Sequence, residues 1–157
     1  MQHPFEPLYD ANSKVLILGT FPSVKSREQS FYYAHPQNRF WKVISTLTQT
    51  PLPTTIEAKK AMLLEHNIAI WDVIQSCDII NSSDSSIQNV IPSDLTSLLR
   101  HSHITHIYAN GATAHKLYQK YCELNTGIEI IKLPSTSPAN AIFSLEKLIF
   151  AWSIIKI

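Results

Sequence analysis

A chain of 157 residues, 45% hydrophobic and 16% charged, fits one domain over residues 1–157 and can bury a proper core. Its 13 basic and 12 acidic side chains leave a formal charge of +1, which excludes a global basic field for nucleic acid; DNA contact would need a local patch, backbone N–H groups or helix N-termini. Two cysteines, Cys77 and Cys122, are too few for a disulfide framework or a four-thiolate iron–sulfur cluster. No apolar run reaches the roughly 18 residues of a membrane span, and the first ten residues lack a secretion signal's apolar stretch. The expectation is a cytoplasmic, reduced monomer without cofactor or metal.

In chain order, the first thirteen residues read as an extended lead-in. Lys14 to Gly19 (KVLILG) is a short apolar run ending in Gly, as a buried parallel strand would be. Thr20 to Ser30 reads as a polar loop. From Asn38 the pattern is helical, with Phe40, Val43, Ile44 and Leu47 on one face. Thr50 to Pro53 ends that helix, and another follows over Ile56 to Glu65. Asn67 to Ile74 is a second strand, Gln75 to Asn89 a long Ser-rich loop, and Pro92 to Arg100 a short helix. Thr105 to Asn110 is a third strand, with a helix after it. Ile128 to Leu133 is a fourth, and Pro134 to Pro138 a loop. A final helix has Pro138 in its first turn, where a missing N–H costs nothing.

Strands alternating with helices predict a three-layer α/β/α sandwich around a mainly parallel four-stranded sheet. Ligands in such folds sit beyond the carboxyl ends of the strands. The loops Thr20 to Gln37 and Pro134 to Asn140 leave those ends, so they should face one cleft.

Those two loops carry the distinctive motifs. Ser30 to Val43 reads SFYYAHPQNRFWKV, preceded by GTFPSVKSRE, and Leu133 to Ala141 reads LPSTSPANA. Together they resemble the hypoxanthine-DNA glycosylase family of the uracil-DNA glycosylase superfamily, over about Lys14 to Trp152. Mismatch-specific uracil glycosylases resemble the chain around AHP-x-NRFWKV. Where they carry a water-positioning Asn after the strand glycine, this chain has Thr20, and their NPSGLSR-like second motif is LPSTSPA here. Ala34 stands where the hypoxanthine family usually has Gly.

The resemblance implies a monofunctional DNA glycosylase that releases a deaminated base, hypoxanthine first, from DNA and so starts base excision repair. Such hydrolysis passes through an oxocarbenium-like sugar, and a neutral carboxamide can hold the water or the base. The family places the catalytic Asn at Asn38; spacing alone would make it a helix N-cap. Phe31 is implied to stack on the flipped base. Thr20, Phe21 and Pro22 would form the pocket floor, with His35 as a further hydrogen-bonding group. Ser23, Ser135, Thr136, Ser137 and Pro138 would meet the DNA backbone.

Other residues have a plainer reading beside a functional one. Arg39 and Lys42 either contact phosphates or solvate the helix, while Phe40 and Trp41 brace the loop. Asp84, in SSDSS, is a solvated loop residue or an auxiliary catalytic group. Asp72 faces the cleft or caps nearby backbone. His101, His103 and His106 lack the Cys spacing of a zinc site. Lys42 sits on the helix of the first motif and Lys25 lies close to it, and neither is read as a pocket group, so water rather than a Schiff-base amine is the expected nucleophile. The alternatives are a uracil glycosylase of the mismatch-specific type and a non-catalytic module that binds damaged DNA.

Overall fold

The computed structural model describes residues 1–79 and 87–157. Asp84 lies outside the described residues. Along the chain run β1 (Val15–Gly19), α1 (Val24–Gln29), α2 (Phe40–Thr48), α3 (Ile56–Glu65), β2 (Ile68–Asp72), β3 (Ile74–Asp78) and β4 (Gln88–Pro92). Then come α4 (Leu95–Arg100), β5 (His106–Asn110), α5 (Ala112–Tyr121), α6 (Glu123–Thr126), β6 (Ile130–Leu133) and α7 (Leu145–Trp152).

Four strands form one all-parallel sheet in the order β2-β1-β5-β6, flanked by helices. Ile17 sits opposite Ile70 on one side and Tyr108 on the other. All five residues of β1 and of β2 are buried, which explains their unbroken apolar runs: a parallel strand covered on both faces has no polar side to alternate with. The chain moves outward from β1 in both directions, so a crevice opens at the carboxyl ends of β1 and β5. Helix α2 packs on α7 through Phe40 and Trp152, whose ring centroids are 6.0 Å apart. Both side chains are fully buried.

Five sequence expectations are corrected. The polar stretch after β1 contains α1, capped by Ser23, whose Oγ accepts from the Ser26 N–H at 3.2 Å. The strand expected over Asn67 to Ile74 breaks at Val73 into β2 and β3. The long loop that should follow is instead framed by the antiparallel pair β3 and β4. That ribbon is polar and β4 is largely exposed, so no period-2 apolar pattern marks it. The helix expected from Pro92 starts at Leu95, capped by Asp94. The last helix starts at Leu145 behind the cap Ser144, so Pro138 is a loop residue. Its neighbours' carbonyls make turn bonds (Asn140 N–H to Ser137, Phe143 N–H to Asn140) and side-chain bonds rather than a helical ladder: Asn140 Nδ2 bonds the Ser135 carbonyl, and Arg39 bonds those of Ser137, Asn140 and Phe143.

Two glycines are dictated by the crevice. A Cβ on Gly19 would lie 2.5 Å from Asp72 Oδ1, and Gly111, at φ +103°, turns β5 into α5 with Ser135 packed against it.

Candidate active site

A cleft of about 510 Å³ lies at the carboxyl ends of all four parallel strands. Gly19 and Thr20 follow β1, Asp72 closes β2, Asn110 closes β5, and Ser135 to Ala139 follow β6. Tyr32, Tyr33, His35 and Asn38 complete the wall from the loop between α1 and α2. The two loops singled out in the sequence therefore share one cavity, as expected, and β2 and β5 also contribute to it.

Asn38 is fixed by a hydrogen-bond relay whose direction is unambiguous. The Thr136 N–H donates to Asn110 Oδ1 at 3.0 Å, so Asn110 must present its Nδ2 to Thr136 Oγ1, also at 3.0 Å. Having accepted that bond, the Thr136 hydroxyl donates to Asn38 Oδ1 at 2.8 Å, and the Phe40 N–H donates to the same oxygen at 2.9 Å. A backbone N–H can only donate, so both amide orientations are set by the main chain. The carbonyl end of Asn38 is occupied, and its NH2 is the end left for a ligand. The N-cap position of α2 is Arg39 rather than the Asn38 that spacing suggested, although the Asn38 side chain still takes the Phe40 N–H at the helix start.

His35 is oriented by similar logic. Its Nδ1 accepts from the Gln37 N–H at 3.1 Å, so Nε2 carries the proton and is a second donor on the cleft wall. Thr20, Phe21 and Pro22 also line the cleft.

Phe31 is not on that wall. It is 5% exposed, stacked on Trp41 at 5.9 Å and 14°, with the Lys60 ammonium over its ring at 5.8 Å. The aromatic side chains the cleft offers are Phe21, Tyr32 and Tyr33. Three consecutive aromatics cannot point one way, and here the first turns into the core. Tyr33 is stacked on Phe40 at 4.1 Å, and its carbonyl accepts from Trp41 Nε1 at 3.2 Å. It adopts φ 51°, an uncommon conformation for a bulky residue and one that clusters at functional sites. Burial first, and then the Asp72 carboxylate, push its phenol above the usual tyrosine range; the nearby Asn110 carboxamide acts in the opposite direction. The Tyr33 hydroxyl is buried without a hydrogen-bond partner among the described residues.

The residues assigned to the DNA backbone divide. Thr136 is fully buried in the relay and is not a surface contact. Ser135 and Ser137 line the cleft, but their hydroxyls accept from the N–H groups of Ser137 and Ala139, at 3.1 and 3.2 Å. Ser23 lines it as the cap of α1, and Pro138 is exposed at its edge. Arg39 clamps the second loop by bonding the Ser137 and Asn140 carbonyls at 3.1 Å each, together with that of Phe143. Its guanidinium is thus spent on the protein's own carbonyls.

The sequence reading left Asp72 between a cleft residue and a backbone cap and did not single out His3. Asp72 is 4% exposed and lines the cleft; its Oδ2 accepts from His3 Nε2 at 2.8 Å. The only sequence signal for Asp72 was its place at the end of a strand, and nothing marked His3, which arrives from the N-terminal segment. His101, His103 and His106 bond separately to Ser97, Ala11 and Thr105. No metal-binding cluster of His, Cys, Asp and Glu occurs among the described residues, and no described helix is long and apolar enough to cross a membrane.

Comparison with known proteins agrees with this geometry. The uracil DNA glycosylase superfamily model matches residues 6–156. A hypoxanthine DNA glycosylase of Methanosarcina acetivorans is 33% identical over 145 residues, covering 91% of this chain and 90% of its own. One from Methanosarcina barkeri is 30% identical over 86 residues, 54% of each chain. The solution structure of a candidate uracil DNA glycosylase from M. acetivorans superposes with a TM-score of 0.81 at 28% identity, over 97% of this chain and 96% of that one. The chain belongs to the uracil DNA glycosylase superfamily and is a DNA glycosylase.

Proposed function

We propose that this protein hydrolyses the N-glycosidic bond of a deaminated base in DNA, with hypoxanthine the favoured base, and so opens base excision repair. The observation that carries the reading is the polarity of Asn38. Its Oδ1 is held by Phe40 and Thr136, so the cleft receives an NH2 donor on a rigid mount. As the C1′–N bond breaks, its electron pair moves onto the base. Preorganised donors aimed at that developing charge stabilise the transition state without reorganising. Asn38 Nδ2 and His35 Nε2 are those donors. The cleft volume suits a single flipped nucleotide. No lysine lines it among the described residues, and Lys25 pairs with Glu28 at 3.5 Å. That supports water as the nucleophile and a monofunctional enzyme.

Hypoxanthine rests on the names of the two Methanosarcina relatives. The description of the solved neighbour favours a second reading, uracil. The test is a pair of duplexes carrying one hypoxanthine or one uracil, each incubated with the protein and then treated with alkali. Faster cleavage at hypoxanthine is expected. Faster cleavage at uracil would reverse the assignment, and salt-sensitive binding without base release would leave a damage-binding module.

A further inference from the structure

Asn38 stabilises a leaving base but cannot take a proton from water, because the end it offers is a donor. Hydrolysis still needs an acceptor on the nucleophile's side. From the cleft geometry we infer that Asp72, held in place by His3, holds the attacking water and receives its proton, an inference that rests on the glycosylase reading above.

Four observations carry this. Asp72 is the only carboxylate lining the cleft among the described residues. It ends β2 beside Gly19, so it stands at the sheet's carboxyl edge, where the crevice opens. Its two oxygens differ. Oδ2 accepts from His3 Nε2, while Oδ1 has no hydrogen-bond partner among the described residues and fills the place a Gly19 side chain would take, with the Tyr33 hydroxyl lining the same space. Finally, no Lys or Arg pairs with it among the described residues; its one ion-pair partner among them is His3. A carboxylate that is nearly all buried and has one hydrogen bond is costly to keep, and such groups cluster where chemistry needs them.

His3 is the positioning residue. The Phe5 N–H donates to its Nδ1 at 3.4 Å, which leaves the proton on Nε2, directed at Asp72. The imidazole is wedged edge-on between Phe5 and Phe21, at 4.7 and 5.8 Å. The pair thereby fixes the carboxylate plane and leaves Oδ1 for water. In the reaction the water oxygen bonds to C1′ as the bond from C1′ to the base breaks. The electron pair leaves on the base, the water proton passes to Oδ1, and transfer of that proton to the departing base restores the carboxylate. No further reagent is consumed. The negative charge also faces a sugar that becomes cationic.

The experiment is single-turnover base release, paired with affinity for a duplex holding a 2′-fluoro deoxyinosine that cannot be cleaved. Asp72→Asn keeps the acceptor for His3 but not the base, and should slow release by about 100-fold or more while changing affinity by less than about threefold. Formate added to Asp72→Gly should restore part of the rate, which a structural defect would not allow. His3→Ala should lose about tenfold and His3→Gln, which keeps an N–H donor in place, should recover it. If Asp72→Asn fails to fold, the two His3 variants decide, and equal rates for both and the wild type overturn the inference. Wild-type base release with an undiminished Asp72→Asn rate overturns this inference alone. Failure of the wild type to release any base overturns the glycosylase reading and this inference with it.

Discussion

The two loops that bound the cleft are built on opposite principles. The segment from Phe31 to Trp41 is anchored by rings. Phe31 lies on Trp41, Tyr33 on Phe40, and Phe40 packs edge-on against Trp41 and Trp152. The segment from Pro134 to Ser144 has little apolar anchorage, and Ile142 is 82% exposed. It is held by polar bonds from elsewhere: Arg39 to three carbonyls, Asn110 to Thr136, and Trp152 Nε1 to the Pro134 carbonyl at 2.9 Å. The difference teaches how the proposed site divides its labour. Close packing fixes the loop that carries the proposed catalytic carboxamide, because rings in rotamer minima tolerate little displacement. Directional hydrogen bonds fix the loop that sets its polarity.

Breaking each loop should therefore give a different defect. The largest expected effect is Asn38→Ala, which removes the donor and should lower the single-turnover rate about 100- to 1000-fold; the Phe40 N–H and the buried Thr136 hydroxyl also lose their acceptor, so about 1–3 kcal/mol of stability should go with it. Next is Arg39→Ala. It removes one hydrogen bond from each of three carbonyls and loosens the second loop, and an ångström of misplacement can cost about 100-fold in rate. Faster proteolysis within residues 137–143 should accompany it. Thr136→Val keeps the shape but leaves Asn110 Nδ2 unpaired and Asn38 Oδ1 with one bond; about 1–3 kcal/mol of stability should be lost, read by denaturant melts, with a smaller fall in rate. Trp41→Ala tests the other loop and should act chiefly on stability, by about 3–5 kcal/mol.

The smallest effect concerns Cys122. Burial pushes its thiol up to about 11, so little thiolate exists at neutral pH. Iodoacetamide at pH 7.5 should leave native Cys122 unmodified and base release unaffected, whereas the unfolded chain should react.

The same contrast explains what the sequence disclosed. The parallel strands were legible because each is a short apolar run closed by a turn signal, and the order of strands and helices follows from that. The first loop was legible as a motif but not in orientation: nothing in SFYYAHPQNRFW says that Phe31 turns into the core while Tyr33 faces the cleft. The second loop misled. Pro138 after Ser137 reads as a helix start, and only Arg39, about a hundred residues earlier, reveals why the carbonyls there do not join a helix. Asp72 and His3 are 69 residues apart, and their pairing exists only after β2 and the N-terminal segment meet. Thr136 looked like a surface hydroxyl because its burial depends on Asn110 and Asn38, both distant in sequence.

The most direct test of the central claim is mass-spectrometric identification of the products from a duplex with one hypoxanthine, before any alkali is added. The account predicts free hypoxanthine and an intact strand bearing an abasic site. A strand already cut at that position, or tight binding with no free base, would contradict it.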